Sequence, residues 1–508
     1  MSAAAADASF VLKDHLVILP VVIPLIASGI VAMLPTARVA WLATTLVSFT
    51  VAALSIMLLL EVQGDADGVM SYALGGWAPP VGIEYRVDIL NAFVLAIVAC
   101  IGAIAMPFAM RSVPVDVASN QQPWFYATYL LCFTGLLGMT ISGDAFNIFV
   151  FMEISSLSTY VLIAMGRDRR ALLAAYQYLI MGTIGATFYV IGVGLLYIVT
   201  GSLNLADITT RIGEVYATTP RPVVAALAFL IVGISLKLAL FPLHVWLPNA
   251  YAFAPPFATV FLAATATKVA VYVLIRIWFL LFGQAISLDR LPVSELLIVL
   301  SIIAMFAGSL LAFYENRIER MLAYSSVAQI GYIMLGISLL NEAGLTGGIV
   351  HIMNHAVTKG LLFLAIGAVV YRLGHPMLSE LGGIGKRMPL TMAAFVIGAL
   401  SIIGVPGTAG FVSKWNLAIG AVEGGAYVIV FLIMASSILS VLYIGRVIEI
   451  AYFKPVSKLC ERATDPGWSM GLPIAVLAFA VIWFGLETTY SSDIANAAAK
   501  MLLGGLTQ

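Results

Sequence analysis

Charge is the scarcest feature of this sequence: only 10% of its 508 residues are Asp, Glu, Lys or Arg, and the signs balance to a formal net charge of zero. With no basic tail and no basic patch interleaved with aromatics, the chain lacks the electrostatic footprint of nucleic-acid binding. Cysteine is almost as rare. Cys100, Cys132 and Cys460 are far apart and form no CxxC pair, so no disulfide framework, zinc site or iron–sulfur cluster is expected. No phosphate-binding glycine loop, no GxGxxG after a strand and no nucleophile triad occurs, which argues against nucleotide cofactors and against catalysis within the chain. The first apolar run follows Asp7 and Asp14 rather than a basic n-region with a small-residue cleavage site, so it is expected to be retained.

What fills the chain instead is apolar sequence: 62% of residues are hydrophobic and the mean hydropathy is +1.05. That composition belongs to an integral membrane protein, and runs of roughly 20 apolar residues suffice to cross a bilayer as helices. The expected fold is an all-α polytopic membrane protein of about fourteen transmembrane helices, near 16–35, 39–61, 87–110, 123–141, 145–165, 171–200, 222–246, 256–282, 294–314, 321–340, 346–373, 389–420, 425–453 and 469–488. An even number of spans puts both termini on one side, and basic residues choose the side. Loops after odd-numbered spans hold Arg38, Arg111, Arg167, Arg169, Arg170, Arg317, Arg320, Arg372, Lys386, Arg387, Lys454, Lys458 and Arg462. The other side holds Lys13, Arg86, Arg211, Arg221, Arg290 and Lys500, so both termini are expected outside. On that outer side, "YALGGWAPPVGIEYRVD" alternates around a Gly/Pro turn and predicts a short β-hairpin.

Against this background a buried charge is informative, because a lysine at bilayer depth costs about 2.5–3.5 kcal/mol on insertion scales. Lys237, Lys268, Lys359 and Lys414 all fall within predicted spans, and Glu153 is the clearest mid-span carboxylate. A bare buried carboxylate is costly, so Glu153 is expected to face one of these lysines; paired with Lys237, it would let a small change of geometry tune the lysine's proton affinity. Lys359 could alternatively serve a nearby carbonyl. His351, His355 and Lys359 recur every four residues and form one helical stripe suited to relaying protons. An HxxxH pair can bind metal, but neither the glutamate of HExxH nor a third ligand accompanies it, so no metal is expected. His244 reads equally as a relay or as a structural histidine bonding carbonyls freed by Pro242 and Pro248, while His375 falls in a loop and reads as solvated. Helix breaks at Pro242 and Pro406 beside Lys237 and Lys414 argue for a hydrated path at membrane depth.

Internal repetition is visible. Arg170 before "ALLAAYQYLIMGTIG" echoes Arg320 before "MLAYSSVAQIG", and the Pro-broken seventh span with Lys237 has a counterpart in the twelfth, "GVPGTAGFVSKW", with Lys414. Interrupted helices five spans apart imply two inverted five-helix repeats, spans 4–8 and 9–13. The expected division is an N-terminal three-helix part (1–121), a first repeat (122–282), a second repeat (294–453) and a last helix with C-terminal tail (469–508), all in one membrane domain.

"KLALFPLHVWLPNAYAFAPP", "IERMLAYSSVAQIGY" and "HIMNHAVTKGLLFLAIG" resemble the antiporter-like proteins shared by complex I, membrane-bound hydrogenases and multisubunit cation/proton antiporters. "GDAFNIFVFMEISSLSTYVLI", "TKVAVY" and "GFVSKW" are most similar to the D-type member of Mrp-type multisubunit Na+/H+ antiporters. The resemblance implies a proton-translocating subunit of a bacterial plasma-membrane complex, with A-like and small membrane subunits as partners, protons and Na+ or K+ as cargo, and no cofactor. By resemblance, Glu153 and Lys237 form the modulating pair, Lys268 the central relay and Lys414 the terminal lysine, while His351 and His355 line the polar axis. Gln329 stands where some relatives carry histidine, a departure at the central relay. The alternative implied function is the pump arm of a redox complex.

Overall fold

The computed structural model describes residues 15–64, 68–283 and 292–504; Asp7, Lys13, Asp14 and Arg290 therefore lie outside the described residues. Helix occupies every one of the fourteen expected segments. The first six are α1 (Leu19–Ala32), α2 (Ala37–Gly64), α3 (Ile89–Asp116), α4 (Gln122–Ile141), α5 (Ala145–Ala164) and α6 (Arg169–Thr200). After α7 (Leu205–Thr218), the seventh segment is split into α8 (Pro220–Leu238) and α9 (Trp246–Phe253). There follow α10 (Pro256–Ile275), continued as π-helix through Gly283, then α11 (Val293–Tyr314), α12 (Ile318–Ser338) and α13 (Glu342–Leu373). The twelfth segment is split into α14 (Pro389–Ile403) and α15 (Ala409–Glu423); α16 (Tyr427–Ile448), α17 (Trp468–Leu486) and α18 (Thr489–Gly504) complete the chain. Among the described residues, twelve helices are long and apolar enough to cross a membrane. Two expected spans are shorter: α1 and α14 have 14 and 15 residues, about 21 and 23 Å at the α-helical rise.

Among the described residues, two helices longer than a single turn lie outside the expected spans. α7 is amphipathic, burying only Ile208 and Ile212, and α18 replaces the expected tail. The predicted hairpin is present as β1 (Val69–Ala73) paired antiparallel with β2 (Glu84–Asp88), Val69 opposite Asp88.

Contacts sort the loops into two faces. On one, Tyr85 bridges to Ser142, Asp144 bridges to Asn204, Asn204 donates to Glu84 Oε2 at 2.7 Å, and Asn496 of α18 donates to Glu342 at 2.8 Å. All of these follow even-numbered segments. On the other, His375 meets Glu319, Asp465 caps the start of α14, and Arg170 and Arg317 both lie over the Phe253 ring. This pattern corrects one expectation. Arg170 and Arg320 begin helices on the same face, four segments apart, whereas inverted five-helix counterparts would start on opposite faces; their echo is not a repeat relation.

The core is built around α13, buried continuously from Gly344 to Val370 and packed by α3, α10, α12, α14, α15, α17 and α18. Elsewhere small residues set the helix spacing. α6 and α8 touch backbone to backbone because Gly185 faces Gly233, where a Cβ would come within 2.6 Å of the Gly185 carbonyl. By contrast Tyr427, Val428, Phe431, Met434 and Ile438 of α16 are exposed, as expected of a surface that meets lipid or a membrane partner.

Candidate functional site

The site begins where the seventh segment breaks. The helix ends one residue after Lys237, before the break's prolines are reached: Ala239 adopts a left-handed conformation (φ 60°), rare for a residue with a Cβ, and the next six residues are irregular up to α9. The four prolines then fall where no helical N–H is needed. Pro242 is in the break, Pro248 is in the first turn of α9, Pro255 precedes α10 and Pro256 opens it. At the break the carbonyl of Leu236 accepts weakly from Ala239 N–H at 3.3 Å and more closely from the indole Nε1 of Trp246 at 2.9 Å.

Lys237 therefore sits in the last turn of a half-helix, where the dipole favours a cation. It is 7% exposed, its Nζ lies 4.0 Å from Glu153 Oε1 and it donates to Ser156 Oγ. Ser156 passes its own proton to the Met152 carbonyl at 2.6 Å, so the serine is fixed as an acceptor toward lysine. A small cavity beside Lys237, lined by Ser155, Ser156, Thr159 and Tyr178, has about 20 Å³ of room for water centres, enough for about one water. Tyr160 meets Tyr178 edge-on at 4.8 Å, Tyr178 stacks on Trp246 at 3.8 Å, and Trp246 holds the Leu236 carbonyl. An aromatic relay thus ties α5 and α6 to the break.

The second group lies along α13. His351 is held from both sides, Nδ1 2.7 Å from Ser413 Oγ and Nε2 3.0 Å from Gln329 Oε1. The His355 ring stacks parallel to it at 6.0 Å, and both His355 nitrogens are buried without a hydrogen-bond partner among the described residues. Lys359 donates to the Leu322 carbonyl at 2.7 Å and to Ser325 Oγ, the carbonyl service that the sequence allowed. Lys268, 1% exposed, donates to the Ala263 carbonyl of its own helix and lies within electrostatic range of His351, His355 and Lys359. No carboxylate pairs with Lys268, Lys359 or Lys414 among the described residues.

Lys414 repeats the logic of Lys237. α14 ends at Ile403, with Gly404 and Gly407 at positive φ on either side of Pro406. Lys414 starts from the second half-helix and reaches back to the carbonyls that the first leaves free, Ile402 at 2.8 Å and Ile403 at 3.1 Å. It also donates to Ser437 at 3.0 Å and lies 4.4 Å over the Tyr332 ring, whose other neighbour is His351 at 5.9 Å.

The structure thus joins Lys268, His355, Lys359, His351, Gln329 and Lys414 in one buried row and leaves Glu153–Lys237 as a separate pair. Ala266 and Ala270 of α10 line the Lys237 cavity; Lys268, two residues from each, points about 160° away around the helix. Gln329, the departure from relatives, is inside the row as a partner of His351.

One histidine differs from expectation and one does not. His244 makes a backbone hydrogen bond at Pro242, inside the break, stacks on Phe241 at 5.0 Å and meets Tyr324 of α12 at 6.3 Å, a placement open to either of its two expected roles. His375 is not merely solvated. It donates from Nδ1 to Glu319 at 3.0 Å, and that bond holds its pKa above the ordinary histidine value despite partial burial. The residues that sequence reasoning missed are Trp246, Tyr160, Tyr178, Ser156, Ser413 and Tyr332. Only Trp246 had a local signal, four residues beyond Pro242 within the motif itself.

With this geometry in place, similarity adds a lineage. Residues 142–440 match the NADH:quinone oxidoreductase/Mrp antiporter transmembrane family. The chain is 42% identical to NADH-quinone oxidoreductase subunit N of Desulforudis audaxviator, over 93% of this chain and 96% of that one. It is 29% identical to the D-type member of the Na(+)/H(+) antiporter of Alkalihalophilus pseudofirmus, over 95% and 97%. It superposes with a TM-score of 0.87 and 27% identity on a chain of the Mrp complex of Dietzia sp. DQ12-45-1b, covering 97% and 98%. Antiporter-type ion-transport proteins and a complex I component are thus relatives of equal breadth. A profile spanning more than half of the chain and a 42% identical relative along nearly its full length lead to one conclusion: this polytopic membrane protein belongs to the NADH:quinone oxidoreductase/Mrp antiporter transmembrane family.

Proposed function

We propose that this chain is the proton-translocating subunit of a multisubunit antiporter that exchanges protons for Na+ or K+. The observation that carries this reading is the row of buried lysines and histidines together with the separate Glu153–Lys237 pair, the Lys237 and Lys414 ammonium groups each lying at a helix break and Glu153 being the one acid paired with these lysines among the described residues. Uncompensated cations at this depth are expensive and are kept where they serve an ion path. Unpartnered buried polar atoms on Glu153, Tyr160, Gln329, Asn354 and His355 belong to the class that water satisfies, which supports a hydrated axis. Protons load at Lys237 under the control of Glu153, pass along Lys268, His355, Lys359 and His351, and leave by Lys414. The split of both the seventh and twelfth segments, and π-helical ends on the eighth and thirteenth, support two inverted repeats, 122–282 and 294–453. The complex sits in a bacterial plasma membrane with the chain termini outside, beside A-like and small membrane subunits; the cation path lies partly in those partners.

A second reading rests on the 42% identical relative, whose name is that of a redox-complex component: the same row would be driven by electron transfer in other subunits. Purification of the native complex separates the two. Peripheral iron–sulfur subunits would sink the antiporter reading, and membrane partners alone would support it. The proton path itself is tested in everted vesicles with Glu153→Ala, Lys237→Ala and Lys414→Ala. Unchanged cation-dependent ΔpH in all three would reduce the chain to a scaffold.

A further inference from the structure

A second polar constellation lies outside this row, on the hairpin face. Arg276, at the start of the π-helical end of the eighth segment, is 5% exposed and pairs with Asp88 at 2.5 Å. Its Nε donates to Tyr272 Oη at 3.0 Å, and Tyr272 in turn donates to the Thr140 carbonyl at 2.8 Å. Beside them is a cavity of about 200 Å³, room for several waters, bounded by the hairpin, the Ser142–Gly143 turn and α7. Arg86, Asp88, Ser142, Thr209, Tyr272 and Arg276 line it. Lys268, Tyr272 and Arg276 are spaced i, i+4, i+8, so they share one face of α10, about 6 and 12 Å apart along its axis. Side chains four apart on a helix can reach each other, so the Lys268 ammonium, which in this arrangement is turned the other way onto the Ala263 carbonyl, meets Tyr272 by swinging along α10.

We propose that this cavity is the vestibule through which Lys268 exchanges protons with the hairpin face, and that Asp88, held by Arg276, is its proton acceptor and gate. The proposal rests on the proton-translocation reading above. In the observed arrangement the Tyr272 hydroxyl is committed to the Thr140 carbonyl and Asp88 to Arg276, which is the closed state. When Tyr272 or a water turns toward Asp88, one N–H proton of the Lys268 ammonium leaves along it and the Asp88 carboxylate takes up one proton. Lysine becomes a neutral amine and aspartate a neutral acid, with no heavy-atom bond changed. Release of that proton to vestibule water restores the Asp88–Arg276 pair. A purely structural pair would act only as a latch and as the cap of α3, whose Leu90 and Asn91 N–H groups donate to Asp88 at 3.0 and 3.3 Å.

Asp88→Asn keeps the cap but removes both the acceptor and the latch, whereas Arg276→Gln removes the latch and leaves the acceptor, so the pair of variants separates the two roles: a latch alone predicts equal slowing in both, the vestibule a larger loss in Asp88→Asn. The test uses the whole complex in vesicles, with cation-dependent proton movement as readout and Lys237→Ala alongside. The vestibule predicts an Asp88→Asn complex at wild-type abundance that transports at least tenfold more slowly, with Asp88→Glu recovering most of the rate. Asp88→Asn at the wild-type rate, with Lys237→Ala inactive, overturns the vestibule alone; if Lys237→Ala also transports normally, the proton-translocation reading falls instead. Where Asp88→Asn fails to assemble, Ala206→Cys decides, in a chain whose Cys100, Cys132 and Cys460 are replaced by serine. Labelling by a membrane-impermeant maleimide from the hairpin face supports the vestibule, and absence of labelling from that face overturns it.

Discussion

Adding one methyl group at Gly182 tests whether the geometry around Lys237 matters, without touching a charge. Gly182 lies on α6, and a Cβ there would fall well inside van der Waals contact of Tyr160 Oη, 3.0 Å from Tyr160 Cζ and 3.5 Å from Lys237 Nζ. The lysine itself would be in ordinary contact; the tyrosine would have to move by more than about 1 Å to reach a normal C···O separation of about 3.3 Å. Tyr160 cannot swing freely, because its ring packs on Tyr178, Tyr178 stacks on Trp246, and Trp246 holds the Leu236 carbonyl at the break. Overpacking of this kind costs about 1–3 kcal/mol, against which alanine returns about 0.5–1 kcal/mol of helix preference. Net destabilisation of about 0–2.5 kcal/mol leaves assembly largely intact. A displacement near 1 Å at a proton-transfer site slows transfer by about a hundredfold. Gly182→Ala is therefore expected to assemble and to transport about 10- to 100-fold more slowly in vesicles. Gly194→Ala, on the same helix with open space around its position, is the control and should be neutral. Equal, wild-type rates for both variants would refute the reasoning.

Other expectations follow from the same contacts. Glu153→Gln keeps side-chain volume but removes an attraction worth about 4 kcal/mol at 4.0 Å and an effective dielectric of 20, so the complex should assemble and lose nearly all cation-dependent proton movement; retained movement would rule out a modulating pair. Trp246→Phe keeps the stack on Tyr178 but leaves the Leu236 carbonyl with only the longer bond from Ala239 N–H at 3.3 Å, a loss of about 0.5–1.5 kcal/mol that should appear as a lower melting temperature of the purified complex, and an unchanged melt would remove the indole from the account. His375 has a raised pKa in the folded chain, so its bond to Glu319 contributes fully below the ordinary histidine value of about 6.5 and fades as pH rises through the raised value. The stability difference between wild type and His375→Gln should accordingly be largest near pH 6 and vanish in alkali; a difference that grows with pH would contradict the sign.

The membrane segments were legible because bilayer thickness dictates a run length that composition reveals directly. Legible too were the breaks, since Pro and Gly at Pro242 and Pro406 have few other uses inside a span. The location of the seventh break was not: the helix ends at Leu238 through a left-handed Ala239, a backbone state that carries no residue signature when the residue is alanine. α7 and α18 escaped notice because a short helix that buries one stripe has no long apolar run. The scarcity of buried carboxylates placed Glu153 against one of the buried lysines, and the resemblance singled out Lys237. Tyr160, Tyr178, Ser413 and Tyr332 could not, because they meet their partners across tens of residues of sequence and belong to types that are ordinary in any membrane core. His375 misled for the same reason, its partner Glu319 being 56 residues away.

The central claim is that protons cross through this chain in exchange for a monovalent cation. Its most direct test is the purified native complex in sealed proteoliposomes carrying an imposed ΔpH, with no electron donor present, followed by a pH-sensitive dye on addition of Na+ or K+. ΔpH is expected to collapse on addition of the cation, and Lys237→Ala to abolish that collapse. Proton movement that ignores both cations and starts only when an electron donor is supplied would contradict it.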